Sequence, residues 1–479
     1  MRYRLKSDSY NNLKENNLDI SIVEKIIKAY DIRGLVDTEL TEDFAFAAGV
    51  AFARLLELQR EPGTVVIGED MRPSSSDLAT AFADGVNSQS FDVIRIGLAS
   101  TDLLYFASGH LGLPGAMFTA SHNPAEYNGI KLCYSGARPV GEKTGLAWIK
   151  NEIITGSPLA LRTLGKSKER SLLVDYVDFL FSLFDDGTFQ REYQGRRLRV
   201  AVDAGNGMGG YTAPAVLAKM NVEVDSLYFE LDGTFPNHEA NPIEPSNMIE
   251  LQELVLKQGA DIGLAFDGDA DRCFLVDESG KLVSPSALTA LIAAQELHKS
   301  PGATIIYNLI CSKAVPEVIK ENNGVGVRSR VGHSFIKKLM AEHDAVFGGE
   351  HSGHFYFREF WRADSGMLAA LYAIAALLKS EIKLSELLKP YERYSLSGEI
   401  NTRVNNPAET INRIRSHYEA LDKNLGFDEL DGLTVSASDW WFNVRPSNTE
   451  PLLRLNVEAS NEIEMERVKA SVLELMKSQ

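Results

Sequence analysis

Layered α/β domains, followed by a smaller α+β domain, are the fold class this sequence predicts. Short apolar runs that end near a glycine recur along most of the chain, and each is followed by a stretch with helical spacing. The tail breaks that rhythm with closely spaced alternating runs and one last helix. At 479 residues the chain is also too long for a single core, so three or four domains are expected.

The elements follow in order. Residues 1–19 are polar and read as an N-terminal extension. Residues 64–68 (Thr-Val-Val-Ile-Gly) form a short buried strand, residues 78–86 have helical spacing, and residues 93–97 form another strand. The pattern returns in Leu198–Asp203 with a glycine-rich turn and a helix after it. It returns again in Thr304–Asn308 with a helix from Ser312. The run Ala204-Gly205-Asn206-Gly207-Met208-Gly209 lacks the full GxGxxG spacing, so it reads as a tight strand-to-helix turn rather than a dinucleotide site. Residues 367–378 read as a buried helix. Leu433–Ser436 and residues 440–445 read as paired strands, residues 452–458 alternate, and Glu462–Lys477 is a helix. Polar stretches place domain boundaries near 157, 280 and 390. The expected domains are therefore 20–157, 158–280, 281–389 and 390–479.

Composition narrows the class. The net charge is −17, from 49 basic and 66 acidic residues, which argues against a nucleic-acid surface but not against a small anionic substrate. Cys133, Cys273 and Cys311 have no CxxC spacing, so neither a disulfide framework nor a zinc site is expected, and a reducing, cytoplasmic setting is the default. The N-terminus has no apolar core of a signal peptide. No apolar run approaches the roughly 18 residues of a membrane span.

Four loops carry chemistry. Asp267-Gly268-Asp269-Ala270-Asp271-Arg272 puts a carboxylate at every second position. In an extended loop the three converge, and their repulsion calls for a cation; hard oxygen donors favour Mg²⁺, Mn²⁺ or Ca²⁺. An EF-hand is the rival, and Glu278 stands at its twelfth position. Arg272 stands where that loop needs glycine, however, and residues 262–266 read as a strand rather than an entering helix. A plain acidic surface loop explains poorly the apolar stretches on both sides.

Thr119-Ala120-Ser121-His122-Asn123-Pro124 offers a hydroxyl nucleophile in a turn, or simply a polar loop. Lys131 lies ten residues on; if its segment is a strand returning from the loop, the ammonium can reach the serine. In Gly348-Gly349-Glu350-His351-Ser352-Gly353-His354 the glycines allow close approach to a ligand. Glu350 and Ser352 can grip sugar hydroxyls, and His354 can act as acid or base. Arg445-Pro446-Ser447-Asn448-Thr449 has the donors of a phosphate cradle, or of a decorated β-turn. Tyr30-Asp31-Ile32-Arg33-Gly34 adds a candidate arginine, Arg33.

Taken in chain order, from Thr119 through Asp267 and Gly348 to Arg445, the four loops resemble those of the α-D-phosphohexomutase family over nearly the whole chain. The resemblance implies a four-domain, heart-shaped architecture: three similar α/β domains and a smaller C-terminal α+β domain around a central cleft. It implies that Ser121 is the phosphorylated serine and, with Asp267, Asp269 and Asp271, a ligand of Mg²⁺. Arg272 matches an active-site arginine of the metal loop, and Lys131, Arg33 and His354 match residues near the transferring group, with acid/base or electrostatic roles. Glu350 and Ser352 match the sugar-hydroxyl contacts, and His333 resembles a further substrate-binding residue of the cleft. Arg445, Ser447, Asn448 and Thr449 match the site for the phosphate that does not react.

The implied activity is phosphoryl exchange on a phosphosugar through a hexose 1,6-bisphosphate, which would also serve as activator. His351 and Asn448 look like the phosphomannomutase and phosphoglucomutase branch, and mannose 1- and 6-phosphate are the expected pair. A glucose or dual-specificity mutase is the alternative. Some dual members carry a lysine where Ile310 stands here, with Lys313 following Cys311-Ser312. A metal-dependent phosphatase and a non-catalytic sugar-phosphate-binding protein are the rivals from other classes. No nucleic-acid or membrane partner is expected, and monomer and dimer stay open.

Overall fold

The structure, a computed structural model, describes residues 20–155, 159, 162–446 and 452–477. The expected extension 1–19, the boundary near 157, and Ser447, Asn448 and Thr449 lie outside the described residues. The chain forms two compact units: 1–283 with 352–387, and 284–351 with 388–479.

The first unit opens with strands β1 (Ile32–Leu35), β2 (Thr64–Glu69), β3 (Asp92–Leu98), β4 (Gly115–Phe118), β5 (Tyr127–Tyr134), β6 (Arg138–Pro139) and β7 (Ser167–Glu169). They form one sheet in the order β1-β5-β4-β2-β3-β7, with β6 beside β5. Strands β4, β2, β3 and β7 run parallel, whereas β5 turns back antiparallel to β4 and pairs β1. The sequence of β4 is apolar throughout because both its faces are covered. Helix Glu42–Gln59 starts where the Thr41 hydroxyl accepts from the Phe44 amide and ends at Arg60 in the left-handed conformation. Its apolar face packs with helix Ser75–Ser88 into a core that includes Phe46, Val50, Phe52, Phe82 and Phe118.

Strands β8 (Leu198–Asp203), β9 (Val222–Leu227), β10 (Ile262–Phe266), β11 (Cys273–Asp277) and β12 (Leu282–Val283) make a second sheet, ordered β12-β11-β10-β8-β9. The plan repeats. Strands β9, β8 and β10 are parallel, and β11 returns antiparallel to β10. Helix Ile249–Gln258 contributes Leu251 and Val255 to the core beside this sheet.

In the second unit, β13 (Thr304–Asn308), β14 (Val325–Ser329) and β15 (Phe347–Gly349) run parallel with β13 in the middle. Helix Ala314–Glu321 begins two residues later than the sequence implies. Cys311 and Ser312 form a turn in which the Cys311 amide bonds the Asn308 carbonyl and the Ser312 hydroxyl accepts from Ala314 N. The chain rejoins the first unit as hairpin β16 (Phe355–Phe357) and β17 (Ala363–Asp364), followed by helix Gly366–Ser380, which is buried as expected.

The second unit closes with β18 (Ser395–Arg403), β19 (Gly426–Asp428), β20 (Leu433–Ser436), β21 (Trp440–Pro446) and β22 (Leu452–Ala459). These form an antiparallel sheet in the order β18-β22-β21-β20-β19. Helices Pro407–Leu421 and Glu462–Lys477 set Ile414, Tyr418, Val468 and Val472 against its Leu433, Phe442, Val444 and Leu455. This is the helix-covered sheet the alternating tail predicts. Among the described residues no helix is long and apolar enough to cross a membrane.

Candidate active site

The aspartate loop joins β10 to β11, where a buried parallel strand turns back. A strand therefore precedes it, as the rejection of an EF-hand requires. Asp267, Asp269 and Asp271 are all buried, so the surface-loop reading fails. One oxygen from each lies within 4.8 Å of the other two. Ala270 sits at φ 57°, which lets the chain double back between the second and third carboxylates. Asp269 Oδ1 is buried and accepts no hydrogen bond, although an orphaned carboxylate oxygen is costly to bury. An all-oxygen, buried, partly unsatisfied donor set suits a hard divalent cation.

The serine loop joins β4 to β5. Ser121 is buried and stands at φ 51°, in the left-handed region that a non-glycine residue enters at a cost of about 1–2 kcal/mol. Its hydroxyl donates to Asp267 Oδ2 at 2.8 Å and lies 3.2 Å from His122 Nδ1. The backbones of the two loops also touch. A Cβ on Gly268 would come within 2.4 Å of the Ser121 carbonyl oxygen, so only glycine fits there.

Cationic groups surround this pair of loops. Lys131 is on β5, as the sequence implies, but its ammonium bonds Asp269 Oδ2 at 2.7 Å and Asp271 Oδ2 at 2.6 Å, and these carboxylates hold its pKa well above the usual value against the effect of burial. Arg272 is buried and returns to its own loop, with Nε 2.8 Å from Asp267 Oδ2. Arg33 donates to Asn123 Oδ1 at 2.5 Å and to Asp31 Oδ2 at 2.5 Å. His354 Nε2 is 3.5 Å from Asp271 Oδ1, and its Nδ1 is 3.1 Å from the Ser352 hydroxyl.

Electrostatics separate the groups. Burial, together with the Asp271 and Asp269 charges, pushes Asp267 up to about 6 despite Arg272. Asp271 is held well below the carboxylate range: burial opposes this, but Lys131 and His354 outweigh it. Burial, then Arg272 and Arg33, drive His122 well below the usual imidazole value, so the ring beside Ser121 is neutral. His354 is raised, because Asp271 outweighs its burial.

Ser121, Asp267, Asp269, Asp271, Arg272, Lys131, Arg33 and His354 are thus gathered in the first unit, together with Ser352. The second unit holds Glu350, His333 and Arg445. Glu350 is buried and accepts from Gly332 N at 3.0 Å and Asn308 Nδ2 at 3.3 Å, beside His333 at the start of helix His333–Glu342. His351 Nδ1 is 3.0 Å from Ser286 Oγ, and burial, with Arg445 adding to it, lowers the imidazole to about 4. Arg445, near the end of β21, bonds Glu399.

Sequence reasoning missed three residues. Thr101 donates to Asp269 Oδ2 at 2.5 Å and its amide bonds the Asp269 carbonyl. Asp364 Oδ2 lies 4.0 Å from His354 Nε2. Arg72 donates to the backbone of the serine loop. Thr101 and Arg72 both follow strands of the first sheet, at the carboxyl ends where α/β sheets build their sites; that rule could have flagged them.

Known proteins share this plan. Residues 24–158, 175–280 and 284–394 match the alpha/beta/alpha domains I, II and III of phosphoglucomutase/phosphomannomutase, and residues 399–475 match its C-terminal domain. A phosphomannomutase of Escherichia coli K12 is 38% identical over 455 residues, covering 93% of this chain and 97% of that protein. A protein of Xanthomonas campestris named "phosphohexose mutases" is 38% identical over 433 residues, covering 90% and 94%. The crystal structure of a phosphoglucomutase/phosphomannomutase family protein from Burkholderia thailandensis superposes with a TM-score of 0.84 at 28% identity, covering 95% of this chain and 97% of that one. Four matched domains in order, together with relatives that align almost end to end, place this chain in the phosphoglucomutase/phosphomannomutase family.

Proposed function

We propose that the protein is a phosphomannomutase, an isomerase that interconverts mannose 1-phosphate and mannose 6-phosphate through a phosphoserine at position 121 and a hexose 1,6-bisphosphate. One observation carries the reading. A hydroxyl in a strained turn stands 2.8 Å from a carboxylate of a buried acidic triad and 3.2 Å from a neutral imidazole. The near-full-length similarity to phosphomannomutases supports the choice of sugar.

In the first half-reaction the free hydroxyl of a hexose monophosphate attacks phosphorus on Ser121. The sugar O–P bond forms, the serine O–P bond breaks, the sugar's proton passes to a base, and a proton returns to the departing serine oxygen, which leaves Ser121 as the free hydroxyl. His354, close to Asp271 and Asp364, is our candidate for that acid/base role. Lys131, Arg272 and Arg33 offset the negative charge spread over the equatorial oxygens. His122 Nδ1, 3.2 Å from Ser121 Oγ, can orient the serine oxygen, but burial and the neighbouring arginines make the ring too reluctant to hold a proton to serve as the base. A divalent cation, Mg²⁺ by this donor set, would be held by Asp267, Asp269, Asp271 and an oxygen on Ser121, and would neutralise charge on the phosphoryl group.

The bisphosphate then turns end over end and returns its other phosphate to Ser121. Glu350 and Ser352 take the sugar hydroxyls in this reading, and His333 is a further substrate-binding residue. Arg445, with Ser447, Asn448 and Thr449, takes the phosphate that does not react. The domains would divide near 157, 280 and 390. Three buried cysteines, none of them in a disulfide, suit a reducing, cytoplasmic setting.

The test is ³¹P NMR with Mg²⁺ and a trace of hexose 1,6-bisphosphate, with mannose 1-phosphate and glucose 1-phosphate in separate tubes. We expect conversion to the 6-phosphate mainly from mannose, and none with Ser121→Ala. Equal rates on both sugars would make it a dual mutase. Steady release of inorganic phosphate would make it a phosphatase.

A further inference from the structure

We infer that Arg72 is the positioning residue of the serine loop: its guanidinium gathers four backbone carbonyls and so holds Ser121 in the left-handed conformation from which its hydroxyl meets the acidic triad. This rests on the reading of Ser121 as the phosphoryl carrier.

Arg72 follows β2, the neighbour of β4, and is 2% exposed. Its Nη1 donates to the carbonyls of Pro124 at 2.7 Å and Tyr127 at 2.9 Å. Its Nη2 donates to those of Ser121 at 2.9 Å and Asn123 at 2.6 Å. The planar fork is thus filled by one seven-residue stretch of backbone. Four carbonyl oxygens aimed at one point repel one another, and such a loop closes only around a cation with four directed donors. A lysine has three donors on a single nitrogen and cannot reproduce the fork.

The clamp is itself aimed. Asp70 Oδ2 lies 3.3 Å from Arg72 Nε, and Asp70 Oδ1 accepts from Arg72 N at 3.0 Å and from Ser75 Oγ at 2.5 Å. Phe235 lies 5.1 Å from the guanidinium carbon, a cation–π distance. The Ser121 carbonyl that Arg72 grips is also the atom that packs against Gly268. The carbonyl direction at residue 121 sets its ψ, and hence where Oγ points relative to Asp267. None of these contacts touches Ser121 Oγ, so Arg72 acts through the backbone.

The experiment compares wild type, Arg72→Lys and Arg72→Ala for phosphorylation of Ser121 by mannose 1,6-bisphosphate with Mg²⁺, read by intact-protein mass. Steady-state constants and hydrogen exchange of the 119–127 peptide are measured beside it. For Arg72→Lys we expect kcat to fall about 100-fold, KM for the sugar phosphate to stay within twofold, and exchange to quicken in that peptide alone. Guanidinium ion added to Arg72→Ala should restore labelling, and methylammonium should not. Should neither variant fold, Asp70→Asn, which loosens the aim of Arg72, is expected to lower kcat by a smaller factor with KM unchanged. The proposal is overturned if the folded variants label like wild type, if KM rises in step with the loss of kcat, or if exchange quickens throughout the unit. A wild type that takes no phosphoryl group would instead overturn the phosphoserine reading.

Discussion

Asp102 shows what burial does to a single carboxyl next to this site. It is fully buried, and its Oδ2 accepts from Tyr176 OH at 2.7 Å and Ser365 Oγ at 2.6 Å while Oδ1 accepts from Ser100. Burial outweighs those bonds and pushes the carboxyl from 3.8 up to about 6. The folded state therefore holds the proton more tightly than the unfolded chain. The stabilisation is fully present below pH 3.8 and is lost as pH rises through about 6. A shift of roughly two units corresponds to about 3 kcal/mol. Asp102→Asn cannot ionise, so its stability relative to wild type should rise by about that amount between pH 4 and pH 7. Urea titrations at several pH values check this, and parallel pH curves for the two proteins would contradict it.

At the scale of elements, the site is made by two strand reversals. Strand β4 turns into β5 and β10 into β11, each time where a parallel strand meets an antiparallel one. The loops are thereby set at the ends of buried strands that cannot shift independently. Gly268 is where they meet: a Cβ there would lie 2.4 Å from the Ser121 carbonyl oxygen, which is backbone and cannot swing aside. Gly268→Ala should push the loops apart by an ångström or so and lower kcat/KM about 100-fold or more, with the melting temperature far less affected. Near-normal kinetics in this variant would mean that the loops do not need their close approach.

For the whole molecule, the acidic triad links metal binding to stability. Asp267, raised by burial and by the Asp271 and Asp269 charges, opposes folding when it is ionised, and a bound divalent cation removes that opposition. Free Mg²⁺ at about 100 times its Kd should add about 2.7 kcal/mol to the first unit, seen as a calorimetric transition that moves up with Mg²⁺. Asp269→Asn should lose most of that upward movement. An equal response in both proteins would place the stabilising metal elsewhere.

Much of this was legible in the sequence. The D-x-D-x-D spacing, the strand runs at Leu198–Asp203 and Thr304–Asn308, and the final helix Glu462–Lys477 stand where periodicity and turn chemistry put them, because those signals are local. Tertiary structure decided what the loops do to one another. It brought Ser121 to Asp267 across 146 residues and Lys131 to Asp269 across 138. It turned Lys131 to the aspartates, and it buried Arg72 under the serine loop. The Arg72 contacts had no signature to read. Its partners are backbone carbonyls, which every residue carries, so only the folded path of the chain selects the four that it holds.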